Sequence, residues 1–273
     1  MFVFKAAVVG AGTMGGEIAY TIAAADIPVV LKDVEQRFVD AGLEKARSLW
    51  KDPDDPRQSL ITGATTYDGF GDVDFVIEAV PERMDIKQQV FAELDAVTPG
   101  QAILASNTSS LSITEMGEAT SRPDRVVGFH YFYPASMMRL IEVIEGEDTS
   151  SETVATAVAF AQAIRKMPIR CGEAPGFVVN RILNSSLGEV FRFQEENGVP
   201  IEEIDKAMTD AKVVPMGPFF LVDLLGLDTV AHVGRYLNDC YGDRFPLHRG
   251  MQELVEQGNL GAKTGKGFYE HGK

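Results

Sequence analysis

His130 and Glu142 stand in one stretch, GFHYFYPASMMRLIEVI, residues 128–144. His130 closes one apolar run, and Glu142 sits inside the next, flanked by Leu140, Ile141, Val143 and Ile144. An imidazole and a carboxylate are both costly to bury unpaired, so each needs a partner. If they partner each other, the chemistry is acid–base catalysis. Imidazole titrates near neutrality, and a carboxylate on one ring nitrogen fixes the tautomer and stabilises the imidazolium formed in turnover. A core histidine bonded to backbone, with the glutamate at a sheet edge, would account for the same residues without any reaction. The other histidines lie in a C-terminal helix (His232), a loop after Pro246 (His248) and the tail (His271), and none has a comparable setting.

A second group of residues says what the base could serve. VVGAGTMG sets Gly10, Gly12 and Gly15 in a G-x-G-x-x-G pattern, with Thr13 and Met14 between them, after one apolar run and before a helical one. The first glycine permits a tight turn, the second lets backbone approach a pyrophosphate, and the third allows close helix–strand packing. The helix N-terminus then presents free N–H groups to phosphate. Asp33 ends the next strand, 18 residues after Gly15, where a carboxylate can accept hydrogen bonds from ribose hydroxyls. Glu35 follows, so a 2′-phosphate would meet two negative charges, with Arg37 as the one opposing cation. The cofactor expected is NAD, and a histidine near its nicotinamide would take the proton when an alcohol is oxidised by hydride transfer.

These residues need elements to hold them. KAAVV (5–9), VVLKD (29–33), DFVIEAV (74–80), AILAS (102–106), RVVGFHYF (125–132) and RLIEVIEG (139–146) read as strands separated by helical stretches. The alternation predicts a Rossmann-type α/β fold, a doubly wound and mainly parallel sheet. From about Pro175 the pattern is helical throughout. Two domains are expected, 1–172 binding NAD and 173–273 a smaller all-helical domain completing a substrate cleft. Ligands in such sheets bind beyond the carboxyl ends of the strands. SNTSSL (106–111), His130 and PGFVVN (175–180), which carries Asn180, converge on that end.

Composition narrows the partners. Of 273 residues, 45% are hydrophobic and 24% charged, as in a packed globular protein. The net charge of −15 disfavours nucleic acid and anionic membranes, which select basic patches. No apolar run approaches the roughly 18–20 residues that span a bilayer. MFVFKAAVVG enters a strand at once, which leaves no signal peptide to expect. Cys171 and Cys240 make no disulfide framework, so a cytoplasmic protein with reduced thiols is expected. No metal site is expected.

Taken together, VVGAGTMG, DFVIEAVPE, ASNTSSL, GFHYFYP with RLIEVI, PGFVVNR, VDLLGLD and KTGKGFY resemble the L-3-hydroxyacyl-CoA dehydrogenases over nearly the whole chain. The resemblance implies NAD-dependent interconversion of an L-3-hydroxyacyl-CoA and its 3-ketoacyl-CoA, as in fatty acid β-oxidation or short-chain acyl-CoA metabolism. It implies His130 as base and acid, Glu142 as its partner, Ser109 on the substrate's 3-oxygen, and Asn180 orienting the acyl group. Glu82 and Lys87, in PERMDIK, match positions lining the nicotinamide ribose, though a solvated helix face explains them equally well. Asn107 goes with the cofactor side or with ordering of its loop, and Glu78 with structure. Asp223 and Asp228 are expected to cap or order helices. A homodimer through the helical domain is also implied.

Two features depart from the family. Tyr133 stands where an asparagine is usual before Pro134. The segment from GLEKARSLWK to DPDDPRQSLITG is also shorter than the helical arm that family members extend over CoA. Lys45, Arg47 and Lys51, with Arg57 nearby, could meet CoA phosphates, or could simply face solvent. Two other readings stay open: a dehydrogenase of a free 3-hydroxy acid or sugar acid, and a non-catalytic dinucleotide-binding relative.

Overall fold

The computed structural model describes residues 2–272. The chain divides after Phe177 into two compact units.

The first unit is built on an eight-stranded sheet. Its strands are β1 (Ala6–Val9), β2 (Val29–Lys32), β3 (Ile61–Ala64), β4 (Phe75–Glu78), β5 (Ile103–Ser106), β6 (Val126–Tyr131), β7 (Leu140–Glu145) and β8 (Met167–Gly172). They lie in the order β3-β2-β1-β4-β5-β6-β7-β8, and β6 against β7 is the antiparallel pairing. The helices are α1 (Thr13–Ala23), α2 (Gln36–Ser48), α3 (Met84–Val97), α4 (Ile113–Glu118) and α5 (Ser151–Ala163). The doubly wound, mainly parallel architecture is as the alternating pattern predicts. Strands β1, β2, β4, β5 and β6 are buried at every position, which is why they read as continuous apolar runs.

β3 and β8 are additions to the expected strands. They form the two edges of the sheet, with exposed or half-buried residues throughout, so no apolar run marks them.

Side chains alternate across the sheet. Phe75, Ile77, Ile103, Ala105, Val127 and Phe129 pack on one face with Ile18, Ala19 and Ile22 of α1 and Phe160 of α5. Val76, Leu104, Val126 and Ile144 pack on the other with Phe91 and Leu94 of α3, Met116 of α4, and Phe177. Phe177 thus belongs to the sheet's own core. Because Glu78 pairs with Ser106, Ser106 with Gly128, and His130 with Glu142, these polar residues share the second face. Glu78, Ser106 and His130 lie at the carboxyl ends of their strands.

The second unit is helical: α6 (Val179–Asn197), α7 (Ile201–Asp210), α8 (Pro218–Leu225), α9 (Leu227–Tyr241) and α10 (Arg249–Glu256). Its core gathers Leu187, Phe191, Ile204, Phe219, Val222, Leu227 and Met251. Asp205 accepts the N–H groups of Phe219 and Phe220 at the start of α8. Asp228 pairs with Lys263. Among the described residues no helix is long and apolar enough to cross a membrane.

Candidate active site

The β6–β7 hairpin sets His130 directly opposite Glu142. Opposed residues of an antiparallel pair project to the same face within reach of each other. His130 Nδ1 lies 2.8 Å from Glu142 Oε2, and both side chains are buried. On the other side of the ring, Nε2 lies 3.0 Å from Ser109 Oγ. With Nδ1–H donating to the carboxylate, Nε2 keeps its lone pair and accepts from the hydroxyl. Phe132 and Phe177 wall the imidazole, with ring centroids 4.6 and 6.0 Å away.

Ser109 owes its place to a second buried group. Lys87, only 1% exposed, sets its ammonium 2.7 Å from Glu78 Oε1 and 3.2 Å from Glu82 Oε2. Glu78 also accepts from Ser106 Oγ at 2.6 Å and from the N–H of Val80. Glu82 Oε1 accepts from Thr108 Oγ1 at 2.6 Å and from Ser109 N–H at 2.8 Å. Burial alone would raise the Glu82 carboxyl, but the charge of Lys87 and the Thr108 and Ser109 hydrogen bonds outweigh it and hold the group below its ordinary value. Lys87 is therefore no solvated helix residue. Asn107 Oδ1 accepts from Tyr131 N–H at 2.8 Å, which ties the serine loop to the strand end beside His130.

The glycine loop fits a dinucleotide. Gly10 has φ +103, and a Cβ there would fall 2.5 Å from Ala79 O. At Gly15 a Cβ would fall 1.8 Å from Gly10 O, so only glycine lets α1 start this close to β1. A Cβ on Gly12 would meet no protein atom within 4 Å, and no side chain caps α1, as suits a helix start that receives an anion. Thr13 and Met14 open that helix. Asp33 Oδ2 accepts from Ala11 N–H at 2.7 Å, setting the carboxylate beside the glycine loop. Glu35 pairs with Arg37 at 2.9 Å, so the nearby cation that would favour a 2′-phosphate has a carboxylate beside it.

Residues 5–174 match the family model for the NAD binding domain of 3-hydroxyacyl-CoA dehydrogenases, and residues 176–271 match the C-terminal domain of the same enzymes. The chain belongs to the 3-hydroxyacyl-CoA dehydrogenase family. It is 40% identical to a 3-hydroxybutyryl-CoA dehydrogenase of Clostridioides difficile, an alignment covering 98% of this chain and all of that one. It is 39% identical to the fatty acid oxidation complex subunit alpha of a Psychrobacter species, over 98% of this chain but only 39% of that subunit. The chain thus spans about two-fifths of the length of these longer relatives. The crystal structure of an (S)-3-hydroxybutyryl-CoA dehydrogenase from Ralstonia eutropha superposes with a TM-score of 0.93 at 37% identity, covering 99% of this chain and 100% of that one.

In this 3-hydroxyacyl-CoA dehydrogenase family member, Ser109, His130 and Glu142 come together. Asn180 lies in the helical unit, in the first turn of α6. No helical hairpin follows α2: the chain passes through a turn and a short 3-10 helix, Pro56–Leu60, straight into β3. Lys45 is engaged by Glu17 at 3.1 Å, Arg47 and Lys51 are exposed, and Arg57 is held by Asp55 and the carbonyl of Ala24. Tyr133 is 58% exposed and precedes a cis proline, Pro134. Within SNTSSL, Thr108 takes a specific part that its motif did not single out, and Glu173 orders the helix that follows. Thr108 Oγ1 accepts from Leu111 N–H, and Glu173 holds Ser112 and Thr114 at the start of α4. The hydroxyl-rich run SNTSSLSIT was the available signal, because such runs fold into side-chain–backbone turns.

Proposed function

We propose that the protein oxidises an L-3-hydroxyacyl-CoA to the 3-ketoacyl-CoA, reversibly and with NAD. The observation that carries the reading is the relay from Glu142 through His130 to Ser109, at 2.8 and 3.0 Å, on the sheet of an NAD binding domain. Glu142 holds the Nδ1 proton, so Nε2 is the nitrogen that takes the proton of the substrate 3-hydroxyl, and it returns the proton in the reverse direction. Ser109 donates to the same oxygen and polarises the carbonyl on reduction. Asn180 orients the acyl group. NAD, when bound, supplies the hydride acceptor. The glycine loop with Thr13 and Met14 receives its pyrophosphate, and Asp33 its adenine ribose. Glu82, Lys87 and Asn107 line the nicotinamide side and fix the serine loop. Arg47 and Lys51, with Lys45 beside them, offer charge to CoA phosphates in place of a longer arm.

The first unit is read as the cofactor domain and the second as the substrate and dimerisation domain. Ile182 and Phe193, exposed on α6, support a homodimer through it. Both cysteines are free, which supports a cytoplasmic setting.

NADH oxidation with acetoacetyl-CoA, longer 3-ketoacyl-CoAs and free acetoacetate tests the reading. Acetoacetyl-CoA is expected to turn over at least about tenfold faster than the free acid, because binding energy from the remote CoA is available to the reacting centre. Equal turnover of the free acid would move the site to the free-acid class. NADH binding without turnover of any substrate would make the protein a non-catalytic relative.

A further inference from the structure

We propose that Glu17 is a positioning residue that couples the dinucleotide-binding helix to the hairpin carrying His130 and Glu142; the proposal rests on the catalytic reading of that pair. Glu17 lies just after the glycine loop on α1 and is 1% exposed. The dinucleotide fingerprint asks for glycines and close packing there, and gives no reason for a carboxylate. A buried carboxylate persists only where donors compensate its desolvation. Here Oε2 accepts from Ser136 N–H at 2.9 Å and from Ser136 Oγ at 3.0 Å, and Oε1 meets Lys45 Nζ at 3.1 Å. Burial alone would raise the Glu17 carboxyl; the Ser136 N–H and Lys45 outweigh it and hold it below its ordinary value.

Ser136 belongs to the loop, residues 132–139, that joins β6 to β7. Those two strands set His130 across from Glu142. The same loop is held elsewhere by Lys166, whose ammonium donates to the carbonyls of Ala135 and Met138, the latter at 2.8 Å. Ala135 is fully buried in the same core as Ile18, Ala19 and Ile22 of α1. The loop is therefore fixed by a carboxylate from α1 and an ammonium from the turn between α5 and β8. α1 is the helix whose N-terminus receives the cofactor pyrophosphate. A shift of α1 reaches the hairpin through the Glu17–Ser136 bonds, and hairpin closure decides where Nε2 points. Displacing a reacting group by about 1 Å can cost about a hundredfold in rate, so the link bears on turnover.

The test compares Glu17→Ala with Glu17→Gln, whose amide oxygen can still accept from Ser136. Glu17→Ala is expected to lower kcat about 10- to 100-fold, with KM for NADH within about twofold, and Glu17→Gln to recover most of that loss. A role in stability alone would lower Tm and leave kcat of the folded enzyme unchanged. The ring-nitrogen NMR resonances of His130 give a readout independent of turnover, and Glu17→Ala should shift the Nδ1 signal where Glu17→Gln does not. Should Glu17→Ala not fold, Ser136→Ala removes one donor and keeps the backbone, with an expected kcat loss of about threefold and a smaller shift in the same direction. Wild-type kcat with unmoved His130 resonances in the alanine variant overturns the coupling. An inactive wild type would overturn the catalytic reading instead, while the resonances still decide the coupling.

Discussion

Among the described residues, two histidine–carboxylate pairs of the same length occur, one in each unit. His130 meets Glu142 at 2.8 Å, and His271 meets Asp223 at 2.8 Å. They differ in which nitrogen is used and in what surrounds them. His130 gives Nδ1 to its carboxylate and presents Nε2 to a serine on a half-buried loop. His271 uses Nε2, and Asp223 also accepts from the N–H groups of Phe268 and Tyr269 at 2.9 Å each. A Cβ at Gly267 would fall 2.2 Å from Asp223 Oδ1, so the chain is drawn tightly round this carboxylate. Asp223 fastens the C-terminal segment onto α8, whereas Glu142 holds a ring whose other nitrogen meets Ser109 and, under the proposed function, is the nitrogen left for substrate. An imidazole beside a carboxylate does not identify a reaction. The proposed base differs in that its second nitrogen meets a serine hydroxyl.

The largest expected difference follows from that contrast. His130→Gln should lower kcat about 10³- to 10⁴-fold and leave NADH affinity, read by fluorescence titration, nearly unchanged. His271→Gln should leave kcat unchanged and lower Tm. Turnover near wild type in His130→Gln would remove the base and make both pairs structural. The carboxylates come next. Glu142→Gln should cost about a hundredfold in kcat by loosening the tautomer of His130. Asp223→Asn should cost about 2–4 kcal/mol of stability in urea unfolding, because it weakens hydrogen bonds to a buried charge, while kcat of the folded protein stays within about twofold. If Asp223→Asn instead lowered kcat as Glu142→Gln does, the division between orienter and fastener would fail.

Much of this contrast could be read from sequence on one side and little on the other. His130 and Glu142 lie on adjacent strands of one hairpin, so a short stretch holds both, and alternation puts them on one face. The central strands are visible because burial on both faces makes them apolar except at a few positions near their carboxyl ends, such as Glu78, Ser106 and His130, and the edge strands β3 and β8 lack that mark. Glu17 and Ser136 are 119 residues apart, and only the packed sheet brings them together. Lys45 illustrates the same limit: it reads as a surface cation open to a phosphate, but its neighbour in space is a buried carboxylate. Glu78 and Lys87 could each be named from their motifs, but their ion pair depends on how α3 packs against β4.

The smallest effect extends the comparison to a third histidine, His248, which forms no ion pair with a carboxylate among the described residues. Its Nδ1 accepts from Met251 N–H at 3.0 Å and so caps α10, and its Nε2 lies 3.0 Å from Gln194 Oε1. Nδ1 can accept only when it carries no proton, and Nε2–H then donates to the glutamine, so the folded state holds this ring neutral. Burial pushes its pKa below the ordinary 6.5. The unfolded chain therefore binds a proton first as the solution is acidified, and stability falls with pH from about 6.5 down to the depressed folded value. Glu82 behaves in the opposite sense as a carboxylate. Its contribution is present above the ordinary value of 4.5 and is lost only as pH falls through a still lower folded value. Between about pH 7.5 and 5.5 the Tm should thus decline through His248 while the Glu82 network is untouched. His248→Asn keeps a capping side chain that does not titrate, and it should flatten that slope. An unchanged slope in the asparagine variant would place the acid sensitivity elsewhere and leave His248 a packing residue only.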